Sequence, residues 1–256
     1  MNLIGLLTMN LLFVTFSFAQ VTNKDQLLQI STIDALLGGI YDGETTVEQL
    51  LKQGDFGIGT FNTLDGEMVV LNGICYQIKS DGKVNVASGS MKTPFAAITP
   101  FETDNKIFLK GPYTLDQLQA KIDSIIPSVN MFYAIKISAR FLTATARSVP
   151  SQKPPYIKLI EITKSQPVFS FENKKGTLVG FRCPPYVKGL NVPGYHLHLL
   201  TDDKKQGGHL LSMNADSITV EIDKTDSFKM VLPHDVFFAR AYFSIDKENE
   251  LEKVEK

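Results

Sequence analysis

Polar and apolar positions divide the chain into short helical stripes and longer β-type stretches. Residues 26–37 form a mixed apolar segment that runs into Gly38-Gly39, and they predict a short helix or turn. Thr45-Thr46-Val47-Glu48 carries the Thr-to-Glu spacing of a capping box, and Val47, Leu50 and Leu51 give a helical face that stops at Gly54. From Phe56 the period shortens. Asp65-Gly66, Asn72-Gly73 and Asp81-Gly82 separate β-branched runs, which predicts a β-meander, with further strands at 96–99 and 105–110. Thr114 and Gln117 repeat the capping spacing before a stripe of Leu115, Leu118, Ile122, Ile125 and Ile126 that Pro127 ends, a core-facing helix. Residues 131–145 read as one long strand. After the proline-rich stretch 150–155, strands are expected at 156–163, 167–172, 177–182, 195–200, 217–222 and 236–245, with a turn at 173–176. The last eleven residues are mostly charged, the pattern of a solvated tail.

Composition narrows the class. The 256 residues are 43% hydrophobic and 21% charged with a net charge of -1, which is ordinary for a globular chain and offers no basic stripe for nucleic acid. Residues 1–19 are apolar and uncharged and end in Ser17-Phe18-Ala19, the small-residue pattern of a signal-peptidase site. They are read as a cleaved export signal, with a retained anchor as the alternative. No later stretch reaches the length of a membrane span. Cys75 and Cys183 are too few for a disulfide framework and are read as two small buried thiols, although export would permit a bond.

The chemistry concentrates at 193–211, which holds three of the four histidines. In a strand, His196 and His198 share a face about 7 Å apart. The polar run 201–208, ending in Gly207-Gly208, predicts a hairpin that returns His209 beside them. A lone strand histidine is ordinarily a core or surface residue, but three at this spacing are the nitrogen set that leaves an open position on a catalytic zinc. His234, in Leu232-Pro233-His234-Asp235, reads as a loop histidine. Asp202 and Asp203 read as solvated residues of a Lys-rich hairpin tip.

Several blocks together resemble alpha-acetolactate decarboxylase: GIGTF at 57–61, LDGEM at 64–68, Tyr76-Gln77, RSVP at 147–150, GTLVG at 176–180, GYHLH at 194–198 and GGH at 207–209. The likeness covers nearly all of the chain beyond the signal. It implies an α/β (α+β) protein, a two-domain arrangement of mixed β-sheets with a few short helices and the metal site between them. Domains are expected over 20–150 and 151–256, the second carrying zinc and the charged tail. It also implies a homodimer, one Zn2+ per subunit held by His196, His198 and His209, and an exported enzyme that converts 2-acetolactate to (R)-acetoin and CO2. By the same resemblance Glu67 and Arg147 are active-site residues, Thr60 lines the pocket, and a C-terminal glutamate reaches the metal site, Glu255 by position with Glu252 as the fallback. Arg140 lies in a segment that departs from the family pattern, and its role stays open.

These residues suit a decarboxylation. Loss of CO2 leaves an enediolate, so charge on the ketone oxygen must be stabilised and one face of a carbon protonated. Arg147 suits a carboxylate or oxyanion, and Glu67 is assigned the proton, with Glu255 at the metal or closing the pocket. Two alternatives are a cupin-like metal-dependent oxygenase, against which stands the missing Glu within the H-x-H block, and a non-catalytic exported metal-binding β-domain.

Overall fold

The computed structural model describes residues 24–243 and 246–255; the signal-like residues 1–19 lie outside the described residues. The first half runs β1 (Gln26–Ile30), α1 (Ile33–Leu37), β2 (Thr45–Thr46), α2 (Val47–Leu51), β3 (Phe56–Thr60), β4 (Glu67–Leu71), β5 (Ile74–Ile78) and β6 (Val84–Val86). Next come β7 (Lys92–Thr93), β8 (Ala96–Thr99), β9 (Asn105–Leu109), β10 (Tyr113–Thr114), α3 (Leu115–Asp123) and β11 (Phe132–Arg147). The remainder is α4 (Leu159–Thr163), β12 (Val168–Cys183), β13 (Gly194–Thr201), β14 (Gly207–Thr225), β15 (Ser227–Val231), α5 (Val236–Arg240) and α6 (Glu248–Glu255). Few, short helices among mixed sheets match the α/β (α+β) expectation.

Two sheets organise the chain. The first has the order β15-β1-β8-β3-β4-β5-β6 and is antiparallel except at the β1–β15 pair. The second has the order β10-β14-β11-β12-β13, with β9 on another stretch of β14. It also curls so that β13 meets the start of β14. Leu27, Phe56, Ile58, Val69 and Ile78 of the first sheet pack with Ala134, Val179, Phe181 and Leu200 of the second, so the main core lies between the sheets. Outside it, α2 covers the far face of the first sheet through Val47 and Leu50, and α3 covers the second through Leu118 and Ile122. The last cluster joins α1, α4 and α6 through Ile33, Leu36, Leu159, Ile162, Leu251 and Val254.

The Asx-Gly turns produce the expected meander, with Asn72 and Gly73 both at positive φ between β4 and β5. The capping boxes form at Thr46/Gln49, one residue later than the spacing indicated, and at Thr114/Gln117. Five expectations are corrected. Residues 26–30 form a strand, not a helix: it is paired on both edges and buries Leu27 on one face and Leu28 and Ile30 on the other, so it loses the alternation of a half-buried strand. Residues 159–163 form a helix that buries Leu159 and Ile162, three apart. The turn at 173–176 does not reverse the chain: Asn173 adopts φ 50 within a continuous β12, because β11 pairs along its whole length. Val236–Arg240 is a helix capped by the Asp235 carboxylate, which accepts from Phe238 N–H. The charged tail is not frayed: α6 is amphipathic, with Leu251 and Val254 buried. Both sheets draw strands from each side of residue 150: β9, β10 and β11 lie in the second sheet and β15 in the first.

Candidate active site

Strand register assembles most of the site before any side chain is considered. His198 of β13 pairs with His209 of β14, and His209 pairs on its other side with Arg147, the last residue of β11. Directly opposed residues share a face, as do residues two apart on one strand. His196, His198, His209 and Arg147 therefore gather on one side of the curled sheet. The curl depends on Gly208: at φ 148, a Cβ there would stand 2.5 Å from the Arg147 carbonyl oxygen. The expected Gly-Gly return thus acts by letting β14 lie against both β13 and β11.

The three imidazoles converge. Among the described residues they are the one His/Cys/Asp/Glu group arranged to hold a metal ion, with one ligand atom of each within 4.8 Å of the others. His198 Nδ1 donates to the Met68 carbonyl oxygen at 2.9 Å, which fixes its tautomer and leaves Nε2 as the ligand atom. Nε2 of His198 lies 3.2 Å from Nε2 of His196. All three rings are buried. Burial first, and then the Arg147 charge, pushes the His196 imidazole down to about 3. Burial likewise holds His198 and His209 well below the usual histidine range, so all three imidazoles are neutral and could serve as ligands.

The first sheet supplies the opposite wall. Glu67 opens β4 and pairs in register with Thr60, the last residue of β3, and the Thr60 hydroxyl donates to the Gly66 carbonyl oxygen at 2.7 Å. Glu67 Oε2 is 3.6 Å from His198 Nε2. The C-terminal helix closes the remaining side, with Glu255 Oε2 3.7 Å from His196 Nε2 and 3.8 Å from His209 Nε2. Burial raises both carboxyl groups to about 7 against the opposing pull of Arg147, and Glu255 adds to the rise at Glu67. Thr60, Glu67, Arg147, the three histidines and Glu255 line one cavity of about 40 Å³. Ile33, Leu36, Leu64, Phe95, Val149, Leu159 and Val254 form its apolar wall.

This donor set fits a metal ion. Tetrahedral bonds of about 2.0–2.1 Å to nitrogen separate neighbouring ligands by about 3.4 Å, close to the 3.2 Å between the His196 and His198 nitrogens and to the distances of the two carboxylate oxygens from His196 and His198. Glu255 Oε2 and Arg147 Nε are buried without a hydrogen-bond partner, a carboxyl oxygen and a guanidinium nitrogen of two residues that line the same cavity. The carboxylates come from β4 and α6 and not from within the H-x-H block.

The other candidates fall elsewhere. Arg140 forms a two-pronged ion pair with Asp216 across β11 and β14, half-exposed on the outer surface. Asp203 accepts from the Thr201 hydroxyl and Lys205 N–H and so shapes the hairpin tip. His234 is an exposed loop residue. Glu255, not Glu252, faces the imidazoles; Glu252 lines a separate cleft of about 1070 Å³ outside α6 that touches His209 and Glu255 from behind. Cys75 and Cys183 are free, and burial pushes both thiols up to about 12. Sequence reasoning passed over Gln166, whose Oε1 accepts from Arg147 Nη1 at 2.6 Å, and the Val254 carbonyl oxygen, which accepts from Arg147 Nη2. No motif marks either one, because both reach the site through loop and helix packing.

Comparison with known proteins agrees with this geometry. The alpha-acetolactate decarboxylase family profile matches residues 27–245. The alpha-acetolactate decarboxylase of Methanosarcina mazei is 49% identical over 233 residues, covering 91% of this chain and 81% of that protein. The one from Methylococcus capsulatus is 43% identical, covering 90% and 88%. The crystal structure of alpha-acetolactate decarboxylase from Bacillus subtilis strain 168 superposes with a TM-score of 0.88 at 36% identity, over 90% of this chain and 99% of that one. A chain so matched along its length, whose sheets bring a histidine triad, two carboxyl groups and an arginine to one buried cavity, belongs to the alpha-acetolactate decarboxylase family of carboxy-lyases.

Proposed function

We propose that this enzyme decarboxylates acetolactate to (R)-acetoin through an enediolate, with zinc held by His196, His198 and His209. The single observation that carries the reading is the buried meeting of three neutral imidazoles, Glu67, Glu255 and Arg147 on one cavity. Zinc, when bound, supplies a Lewis acid for the adjacent ketone and hydroxyl oxygens.

The residues of the chain supply the rest. Arg147 lines the cavity with Nε free of a hydrogen-bond partner while Nη1 and Nη2 are held by neutral oxygens, so its positive charge is available to the substrate carboxylate. As the bond to the carboxylate breaks, its electron pair becomes the new carbon–carbon double bond, and the ketone π electrons move onto the ketone oxygen. CO2 leaves without a proton. Glu67, kept protonated to about pH 7 by burial, then delivers a proton to the carbon that lost CO2. The product acquires its handedness because the donor stands on one wall only. Glu255 shuts the cavity from the outer cleft and excludes water that would protonate the other face. The apolar wall from Phe95 to Leu159 receives the methyl groups.

Metal content by mass spectrometry, followed by assay of acetoin and CO2 from racemic acetolactate, tests the reading. Glu67→Gln is expected to lower kcat by about 100-fold or more while zinc content stays intact. Zinc-loaded wild-type protein that releases no CO2 overturns it. Export after cleavage at Ala19 and assembly as a homodimer belong to the same reading. N-terminal sequencing of secreted protein and sedimentation analysis check them.

A further inference from the structure

We infer that Gln166 is a positioning residue that aims Arg147 at the substrate carboxylate while leaving its charge unspent. The inference rests on the role proposed above for Arg147. Arg147 is 3% exposed, and its two terminal nitrogens have one acceptor each, Gln166 Oε1 at 2.6 Å and the Val254 carbonyl oxygen. Neither acceptor is charged. A carboxylate at either place would pair with the guanidinium in a fork and compete with an anionic substrate. Two neutral oxygens instead fix the plane of the group and leave Nε without a partner in a side chain that lines the cavity.

The two acceptors differ in kind. Val254 belongs to α6, the element that also carries Glu255. Gln166 lies in the loop between α4 and β12, whose backbone is tied by Ser148 N–H to the Pro167 carbonyl oxygen and by Gln166 N–H to the Thr163 carbonyl oxygen. Arg147 itself pairs with Val168, two residues beyond Gln166. The glutamine is thus held by the same strand pairing that ends at the arginine, and it keeps the guanidinium in place independently of α6. Gln166 is not among the residues lining the cavity and acts only through Arg147.

The test compares two ligands of the zinc-loaded protein by calorimetry. One is α-hydroxyisobutyrate, a tertiary hydroxy acid with no ketone to accept electrons; the other is acetoin, which lacks the carboxylate. Gln166→Glu keeps the shape and the acceptor but adds a charge. It is expected to weaken α-hydroxyisobutyrate binding by tens of fold and acetoin binding by less than about twofold. Gln166→Leu, which removes the acceptor, is expected to weaken the acid by about tenfold. Turnover should follow the same split, with a raised KM for acetolactate and a smaller change in kcat. Gln166→Glu that binds both ligands as wild type does, or loses both equally, overturns the inference, and this variant serves if Gln166→Leu fails to fold. Arg147→Lys separates the two levels. If it discriminates the acid from acetoin and Gln166→Glu does not, the role of Gln166 alone is refuted. If Arg147→Lys does not discriminate them either, the role of Arg147 falls, and that of Gln166 with it.

Discussion

Replacing Leu251 by alanine should open the site without unfolding the sheets. Leu251 is 7% exposed and Val254 2%, and they are the two buried residues of α6. Both pack into the cluster of Ile33, Leu36, Leu159 and Ile162. Removing three buried carbons costs about 2–3 kcal/mol in transfer energy, and any cavity left behind adds to it. That loss falls on the docking of α6, because the inter-sheet cluster and the two outer-face clusters contain no residue of this helix. The ion pairs Lys188–Glu248 and Lys158–Glu250 are largely solvated and offset little. At about 1.4 kcal/mol per tenfold, the undocked population rises by about 30- to 140-fold. Hydrogen exchange read by mass spectrometry should show amides of α6 exchanging faster by that factor while those of β11 and β12 keep their wild-type rates. Turnover should fall with it, since undocking withdraws Glu255 from His196 and His209. Unchanged exchange in α6, or strand amides accelerated as much as α6, would refute the view of this helix as a separately docked wall.

Three further outcomes follow from other parts of the molecule. Removing the metal by chelation should lower Tm, and readding zinc at 100 times its Kd should restore about 2.7 kcal/mol, as thermal melts can show; His198→Ala should make Tm insensitive to both. Asp223, 1% exposed, has its carboxyl raised to about 7 chiefly by burial, further raised by Asp104, Asp25 and Glu102 and lowered by the Glu102 N–H. The folded protein then holds a proton that the unfolded chain has released from about pH 4 upward, so stability falls as pH rises from about 4 to 7. Urea melts of Asp223→Asn should show a flatter profile across that window, and an unaltered slope would assign it to other groups. Arg140→Ala removes a half-exposed surface pair and should change stability by less than about 1 kcal/mol with turnover unaffected.

The histidine triad was readable because its geometry is local. Parity puts His196 and His198 on one face, and a polar run ending in Gly-Gly predicts the return that brings His209 alongside. The Asx-Gly turns were readable for the same reason, since their left-handed backbone depends on residues adjacent in sequence. By itself the sequence determined the meander, the α3 stripe, the convergence of the histidine trio and, through resemblance, the candidates Glu67, Arg147 and Glu255 that share its cavity. It misread the segments whose conformation depends on distant neighbours. Gln26–Ile30 is a strand because β8 and β15 flank it, and Asn173 stays within a strand because β11 runs past it. The charged C-terminus reads as solvated until α1 and α4 offer Leu251 and Val254 a surface to bury against. Only the tertiary structure decided that the second sheet curls, placing Arg147 opposite His209, and that the first sheet faces it closely enough for Met68 to orient His198. Hairpin turns and the capping boxes at Thr46 and Thr114 are short-range and can be read along a chain, whereas closing a cavity from two sheets and a helix depends on contacts more than a hundred residues apart.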